Sequence, residues 1–400
     1  MKICVIAYKF GTEKEIGEHL GTYHYFIEKM RRLARQGHEV LVVAPWISFW
    51  RKGSEEVDGV KIARYWPPLF NHPKLLFLNS FFRYLYIRAT QRKVLQANER
   101  KKFDIYYVWQ ARETGFAISQ IKDKLKAPFF FRQITAWEWH FERGILDGKK
   151  QQFFARQIYE KADKVVFVSK AASREALDAG LQASKVEVIG VGIETDIFAP
   201  QGRQEDWRQA LGISGGKVML FIGRINFAEK GIGFLLEAMP EIITAVPGVN
   251  LAIIGGGGES ERMNRLIDKL GIREHVQVLG KKPFSDLPKY LNASDVMVVP
   301  SSWIEHFGQV TVEAMSCGVP VVTTDTGGSP EINIDRQTGF VVPAKDSPSL
   351  ATAAVKILTD SVLRDRLGKA ARVRVEENFT YEVLINKFLQ IIKPAGDNNG

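Results

Sequence analysis

Residues 296–324 read VMVVPSSWIEHFGQVTVEAMSCGVPVVTT, and this stretch predicts a strand, a helix and a second strand in succession. Val296–Pro300 and Pro320–Thr324 are short apolar runs rich in β-branched residues, as in strands that helices cover on both faces. Val310–Cys317 lies between them with helical spacing, and Gly318 is a suitable C-terminal cap. Strands that alternate with helices in this way predict a parallel sheet.

The same alternation extends along the chain in both directions from this stretch. It pauses at residues 198–203, so we predict two doubly wound α/β domains that face each other across a cleft. Ligands of such sheets bind outside the carboxyl ends of the strands, which makes the residues after each strand the candidates for a site. The other predicted strands are Lys2–Ala7, His38–Pro45, Val60–Trp66, Asp104–Trp109, Pro128–Thr135, Lys164–Ser169, Lys185–Gly190, Val218–Ile222, Asn250–Ile254, Val276–Leu279 and Phe340–Pro343.

The net charge of +10 is distributed unevenly along the 400 residues. Residues 1–200 contain 33 Lys and Arg against 22 Asp and Glu, whereas residues 201–400 contain 22 against 23. The excess predicts an anionic partner for the first half: membrane lipid, nucleic acid or a phosphorylated substrate. The alternative is a solvated basic face. No recognised nucleic-acid-binding motif is present, so nucleic acid is not expected.

Several features favour a cytoplasmic protein. No run approaches the roughly 18 uninterrupted apolar residues of a membrane span, and the first residues resemble a strand rather than a secretion signal. The two cysteines, Cys4 and Cys317, are too few for a disulfide framework or a zinc site. Residues 75–88 combine aromatic and basic side chains, which suits docking on the inner face of a membrane; the alternative is a core helix with a charged outer side.

Two carboxylates follow the strand Val296–Pro300. Glu305 lies in the strand-to-helix loop and Glu313 lies eight positions later on the helix, so both are expected at one edge of the cleft. A carboxylate accepts two hydroxyl hydrogen bonds at once, which suits the vicinal diol of a sugar or ribose. The backbone N–H groups of residues 307–309, at the helix N-terminus, can donate to hydroxyls or phosphate oxygens.

Two cations follow the first strand of the second half. Arg224 leaves the strand Val218–Ile222 and Lys230 stands just before a helix, which predicts a clamp for a diphosphate. In isolation, a surface salt-bridge pair would be the better interpretation. Glycine-rich loops follow two further strands at this edge: residues 255–258 predict a tight turn rather than an NAD site, and residues 327–328 let the backbone approach a ligand.

These motifs together resemble the retaining glycosyltransferases of family four, the glycosyl transferases group 1, which have the two-domain GT-B fold. The elements Glu-seven residues-Glu, Gly-Arg…Lys-Gly and Gly-Gly…Glu occur in that family's order and spacing, over the whole second half and, more loosely, the first. The resemblance implies an acceptor-binding Rossmann-like domain at residues 1–200 and a donor-binding one at residues 201–378. It also implies a helix at residues 379–393 that crosses back to the first domain, before a tail at residues 394–400 that we expect to be disordered.

The resemblance implies roles for individual residues. Arg224 and Lys230 would bind the donor's diphosphate and Glu305 would hold the transferred sugar, which makes these three the expected catalytic residues. Glu313 would hold the ribose, and the two residues after Leu279 would border the base. The implied donor-binding residues are Gly223, Arg224, Lys230, Gly280, Lys281, Glu305, His306, Phe307, Gly308, Gln309, Val310 and Glu313.

The acceptor side departs from the family pattern. Where family members usually carry paired glycines, residues 18–22 contain only Gly21. The histidine that is usual after the strand ending near Thr135 is displaced to His140, and the aromatics at residues 137–141 could equally belong to the core. The acceptor-side candidates are Gly21, Thr22, Trp137 and His140.

The activity that the resemblance implies is transfer of a hexose, with retained anomeric configuration, from a UDP- or GDP-linked sugar to an acceptor hydroxyl. The acceptor is expected to be lipid-linked or a polysaccharide or other glycoconjugate. No Asp-x-Asp element follows a strand, so we expect neither a metal nor another cofactor. The alternatives are a sugar-nucleotide epimerase or a glycogen-type phosphorylase of the same fold, and a non-catalytic basic scaffold with a relic donor site.

Overall fold

The computed structural model of the protein describes residues 1–17, 20–47, 53–69, 76–109, 112–134, 148–201, 205–210, 212–213 and 215–392. The chain divides into two compact units, one with Met1–Gly190 and the chain from Ile385 onward, the other with Val191–Leu384. The division precedes the expected boundary by about ten residues. The reason is that the segment after Val191 already pairs inside the second unit, where the N–H of Ile193 donates to the Phe379 carbonyl at 3.0 Å.

The first unit is built on one sheet. Its strands are β1 (Lys2–Ala7), β2 (Glu39–Pro45), β3 (Glu56–Val57), β4 (Val60–Tyr65), β5 (Ile105–Trp109), β6 (Phe129–Gln133), β7 (Lys164–Phe167) and β8 (Val186–Val188). They lie in the order β3-β4-β2-β1-β5-β6-β7-β8, and all neighbours are parallel except β3 and β4. The helices are α1 (Glu13–Ile16), α2 (Leu20–Arg35), α3 (Leu76–Arg100), α4 (Arg112–Ser119), α5 (Lys122–Leu125), α6 (Gly148–Lys161) and α7 (Lys170–Asp178).

The second unit repeats this plan with six strands. They are β9 (Val218–Ile222), β10 (Asn250–Ile254), β11 (Val276–Gly280), β12 (Val296–Val299), β13 (Val321–Thr324) and β14 (Gly339–Val342), all parallel, in the order β11-β10-β9-β12-β13-β14. The helices are α8 (Glu205–Ala210), α9 (Phe227–Lys230), α10 (Ile232–Ala245), α11 (Ser260–Lys269), α12 (Leu287–Ala293), α13 (Gln309–Ser316), α14 (Ser329–Ile332), α15 (Ser347–Thr359) and α16 (Ser361–Asn378). The last helix, α17 (Tyr381–Ile392), begins in the second unit and belongs to the first from Ile385 onward.

Burial explains why the strands are continuous apolar runs. Residues 3–7 of β1 are fully buried, because helices cover both faces of the sheet. Helix α2 turns Phe26, Met30 and Leu33 into this core at the three- and four-residue spacing of an amphipathic helix. Burial of each such side chain contributes about 1.5–3 kcal/mol. Burial of these regularly spaced apolar residues is therefore the main contribution that holds the helices and strands together.

The predicted α/β class with two Rossmann-like domains is confirmed, and the strand ends agree with the predicted ones to within about two residues. The acceptor-side candidates Gly21 and Thr22 lie in the first turn of α2. The expected tail at residues 394–400 lies outside the described residues. Among the helices that the structure describes, none combines the length and apolar character needed to cross a bilayer.

Candidate active site

The second sheet changes its direction of growth between β9 and β12. Strand β9 has β10 on one side and β12 on the other, so the segments after β9 and β12 diverge to opposite faces. Crevices of this kind, at the carboxyl ends of parallel strands, are where open α/β sheets bind their ligands. Arg224 and Lys230 follow β9, and Glu305 follows β12, so the sequence candidates lie at this switch point.

Close backbone packing brings Lys230 to the end of β12. Lys230 is the last residue of the one-turn helix α9, which Asn226 caps by accepting from the Glu229 N–H at 2.8 Å. Gly231 follows with φ +62°, and a Cβ built there would lie 1.9 Å from the Pro300 carbonyl oxygen. Only glycine permits both the left-handed conformation and this approach.

The two loops meet in an ion pair. Lys230 Nζ lies 2.6 Å from Glu305 Oε2, and the Ser301 hydroxyl donates to the same oxygen at 3.1 Å. The Lys230 side chain is 26% exposed and that of Glu305 is 17% exposed, so the pair is mostly withdrawn from water but still reachable. Two residues 75 positions apart in sequence are thus joined at one point.

The environment fixes the charge states of this pair. Burial raises the pKa of Glu305, but attraction to Lys230 and hydrogen bonds from Lys230 and Ser301 outweigh it, so the pKa lies below its usual range. Burial also lowers the pKa of the neighbouring His306, against the attraction of Glu305. At neutral pH the site therefore presents a carboxylate at Glu305 and a neutral imidazole at His306, beside the Lys230 side chain.

Arg224 is held differently. Its guanidinium donates to Glu229 Oε2 at 2.8 Å, and its side chain is 60% exposed, whereas that of Glu229 is 7% exposed. Both predicted cations are therefore in ion pairs, as the alternative interpretation required, but the Lys230 pair is mostly buried rather than a surface pair. Arg224 keeps an exposed guanidinium aimed by a buried carboxylate.

A second glycine loop positions Glu305. The Gly328 N–H donates to the Glu305 carbonyl at 2.7 Å. Gly327 has φ +55°, and a Cβ there would lie 2.2 Å from the same carbonyl oxygen. The Thr324 hydroxyl donates to the Ser301 carbonyl at 2.6 Å, so the end of β13 holds the chain that carries Ser301 and Glu305.

Helix α13 starts at Gln309, four positions after Glu305. Gly308, with φ +91°, is its N-cap residue, and no side chain caps the helix. Its first N–H groups have no acceptor within the helix, so the N-terminus provides donors and a partial positive charge. Phe307 is buried edge-on against Phe379, and Glu313, at the fifth helical position, is 2% exposed.

The ends of the other strands complete the edge. The Gly223 N–H donates to the Ile254 carbonyl at 3.0 Å, and the Gly255 N–H donates to the Gly280 carbonyl at 2.9 Å. A Cβ on Gly255 would lie 1.8 Å from the Gly223 carbonyl oxygen. Backbone groups of glycine residues therefore form this part of the edge, and the exposed Lys281 lies beside them.

Sequence reasoning missed two residues of the site. Ser301 supplies a hydrogen bond to Glu305, and Glu229 holds Arg224. An acid next to two expected cations, and a hydroxyl directly after a strand, were the available signals. Trp137 and His140 lie outside the described residues. Within the described parts of the chain, no three or more His, Cys, Asp or Glu side chains gather as ligands for a metal ion.

Comparison with known proteins agrees with this geometry. The family model described as glycosyl transferases group 1 matches residues 203–374, and that of glycosyltransferase family 4 matches residues 21–197. A GDP-mannose-dependent alpha-(1-6)-phosphatidylinositol monomannoside mannosyltransferase of Mycolicibacterium smegmatis is 30% identical over 352 residues, covering 86% of this chain and 87% of that one. An uncharacterized glycosyltransferase of Methanocaldococcus jannaschii is 28% identical, over 92% of this chain and 93% of its own length.

Solved structures show the same fold. The sucrose-phosphate synthase of Thermosynechococcus elongatus superposes with a TM-score of 0.78 at 23% identity, over 98% of each chain. HepE of Anabaena in complex with UDP gives 0.75 at 21% identity, over 98% of this chain and 99% of that one. The chain therefore belongs to the glycosyl transferases group 1, or glycosyltransferase family 4, and is a glycosyltransferase with the GT-B fold.

Proposed function

We propose that this enzyme transfers a hexose from a nucleoside-diphosphate sugar to an acceptor hydroxyl, with retention of anomeric configuration and without a metal ion. The observation that carries the proposal is the mostly buried Lys230–Glu305 pair, 2.6 Å long, at the switch point of the second sheet. It sets a fixed cation for a leaving phosphate beside a carboxylate for sugar hydroxyls.

The cations stabilise the leaving group. As the glycosidic bond breaks, negative charge grows on the departing phosphate oxygen while the sugar becomes positive. Lys230 and Arg224 are each held beside the switch point by a carboxylate, so both cations are in position when that charge develops. They supply the charge that a divalent ion supplies in other transferases. The departing phosphate oxygen itself accepts the acceptor's proton, so a dedicated base is not required.

The carboxylates and the helix N-terminus bind the rest of the donor. Glu305 stays ionised, because Lys230 and Ser301 keep its pKa low, and so it accepts hydrogen bonds from sugar hydroxyls. The N–H groups at the start of α13 donate to the same sugar or to phosphate. Glu313 receives the ribose hydroxyls, and Gly280 with Lys281 borders the base.

The donor and acceptor classes rest on the relatives. The 30%-identical protein is named as GDP-mannose-dependent and as acting on a phosphatidylinositol mannoside. Of the two nucleotides, this favours GDP, with mannose as the first sugar to test and UDP-glucose as the second. It also favours a lipid-linked acceptor over a growing polysaccharide.

An enzyme with a lipid acceptor must contact a membrane, and helix α3 provides a suitable docking surface. Phe81 and Tyr84 are 56% and 58% exposed, and Arg88 is exposed one turn further along the same face. Arg83 does not contribute, because it pairs with Glu113 at 3.2 Å. Aromatic and basic side chains together suit the interface of an anionic bilayer, so we include peripheral docking on its cytoplasmic face in the proposal.

The first experiment is a thermal-shift panel of GDP, UDP and their sugars, each with and without EDTA. A ligand at about 100 times its Kd adds roughly 2.7 kcal/mol of stability, which raises the unfolding midpoint by several degrees. A shift with one base that survives EDTA supports the metal-free clamp. A shift that needs magnesium refutes it, and no shift with any nucleotide favours the scaffold alternative.

The reaction class is tested by its products. Incubation with the active donor and a lipid acceptor, followed by NMR of the new linkage, is expected to show the donor's anomeric configuration. An inverted linkage contradicts retention. Conversion of the sugar nucleotide to its epimer without an acceptor supports the epimerase alternative.

Membrane docking is tested separately. The variant Phe81→Ser/Tyr84→Ser is expected to weaken co-sedimentation with anionic vesicles, and unchanged sedimentation refutes docking through α3.

A further inference from the structure

A second concave feature lies in the first unit, at the amino edge of its sheet. A cavity of about 270 Å³ is lined by Glu39 at the start of β2, Lys61 near the start of β4 and Phe103 just before β5. Because β1, β2, β4 and β5 are parallel, these positions share one edge. Open α/β sheets bind their substrates at the carboxyl ends of the strands, which lie at the opposite edge of the sheet. The cavity is therefore separate from the proposed acceptor site.

The rim of this cavity is cationic. Helix α3 contributes Lys93 and Arg100, Lys101 follows the helix, and Lys61 comes from β4. Glu39 is the acidic residue in the described lining, and it is ion-paired with Lys101. The other three cations make no ion pair with any described residue, so their charges are available to a ligand.

The inner wall is apolar. Val40, Ala97 and Phe103 line it and are themselves at most 9% exposed. An inorganic anion would pair with the cations of the rim but leave the apolar wall in contact with water. A ligand that carries an anionic group on an apolar body satisfies both parts, since its charge is met at the rim and its carbon atoms lie against the wall.

We propose that this cavity binds a phosphate monoester carried on an apolar body, as in the headgroup region of phosphatidic acid. Three cations around one pocket match a group of charge near −2, and Lys and Arg side chains are the usual partners of phosphate. The site goes beyond the transfer reaction proposed above and does not depend on it. It would give the first unit a lipid contact at the edge away from the acceptor.

The test uses the full chain and two charge-matched variants. Lys93→Gln/Arg100→Gln removes two cations from the cavity. Lys124→Gln/Arg174→Gln removes one exposed lysine and one exposed arginine of the same unit that do not line it. Each protein is titrated by calorimetry with dihexanoyl phosphatidic acid below its micelle concentration, and separately with inorganic phosphate, at about 0.15 M salt, where long-range attraction is screened.

We expect the unaltered chain and Lys124→Gln/Arg174→Gln to bind phosphatidic acid alike, and Lys93→Gln/Arg100→Gln to bind it at least tenfold more weakly. Inorganic phosphate is expected to bind at least tenfold more weakly than the lipid. No binding by the unaltered chain, or equal weakening in both variants, overturns the site, and inorganic phosphate binding as tightly as the lipid overturns the apolar body. The nucleotide thermal shift, measured in parallel, is expected to be unchanged in all three proteins, so failure here is distinct from failure of the transferase proposal.

Discussion

The ion pair between Lys230 and Glu305 makes a sharp prediction about stability. At 2.6 Å and an effective dielectric constant near 20, its Coulomb energy is about 6 kcal/mol before desolvation is subtracted. Removing one partner of a fully buried pair costs about 3–5 kcal/mol, because the other charge is left stranded. The side chains here are 26% and 17% exposed, so we expect Lys230→Met to cost about 3 kcal/mol.

A double-mutant cycle isolates this effect. In Lys230→Met/Glu305→Gln no charge is stranded, and the amide can still accept from the Ser301 hydroxyl. We therefore expect the double variant to lose about 1 kcal/mol, less than Lys230→Met alone. For a unit of this size, about 3 kcal/mol lowers the unfolding midpoint by roughly 6–12 °C. Lys269→Met, which removes an exposed lysine with no ion pair in the described chain, is the control and should shift the midpoint little.

The assay is calorimetric unfolding, and the transition to follow is the one that a nucleoside diphosphate shifts. Losses of stability from the two single variants that sum to the loss in the double variant, to within about 0.5 kcal/mol, would refute the stranded-charge reasoning.

The same variants also test the function of Glu305. Glu305→Gln releases Lys230 for phosphate, so nucleoside diphosphate should bind several-fold more tightly while kcat falls. Equal or weaker binding with unchanged kcat would remove Glu305 from the site.

Two further predictions concern other positions. Lys29 is buried with its Nζ 3.9 Å from the Phe388 ring centroid, and burial lowers its pKa well below the usual range. Between that pKa and about 10.4 the unfolded chain holds one more proton, so stability should rise with pH by up to about 1.4 kcal/mol per unit; Lys29→Met should flatten this slope, and denaturation at pH 7 and 9 measures the difference. Gly231→Ala, whose Cβ would lie 1.9 Å from the Pro300 oxygen, should cost several kcal/mol and abolish donor binding. Gly271→Ala, with φ +66° but no atom within 4 Å, should cost only about 1 kcal/mol, and equal losses in thermal melts would show that strain in φ alone is responsible.

Much of the proposed donor site could be predicted from the sequence because its residues follow strands directly. Arg224, Glu305 and the glycine loops all come within a few residues of a strand end, and parallel strands bring their carboxyl ends to one edge. The basic stretch of α3 was less predictable. Composition groups Arg83 with Arg88, yet Arg83 pairs with Glu113 and Arg88 is exposed. Five residues correspond to a net rotation of about 140° around the helix axis, so the two side chains leave different faces.

The alternation of strands and helices, the two-domain α/β class and the motifs of a glycosyltransferase can all be recognised in the sequence without a structure. Apolar periodicity and glycine positions are local properties, and they carry that information directly. Three features needed the folded chain: β9 lies beside β12, Lys230 reaches Glu305 across 75 residues, and Gly231 lies against Pro300. These depend on strand order and on close backbone approach, which many sequences with the same local pattern would not share.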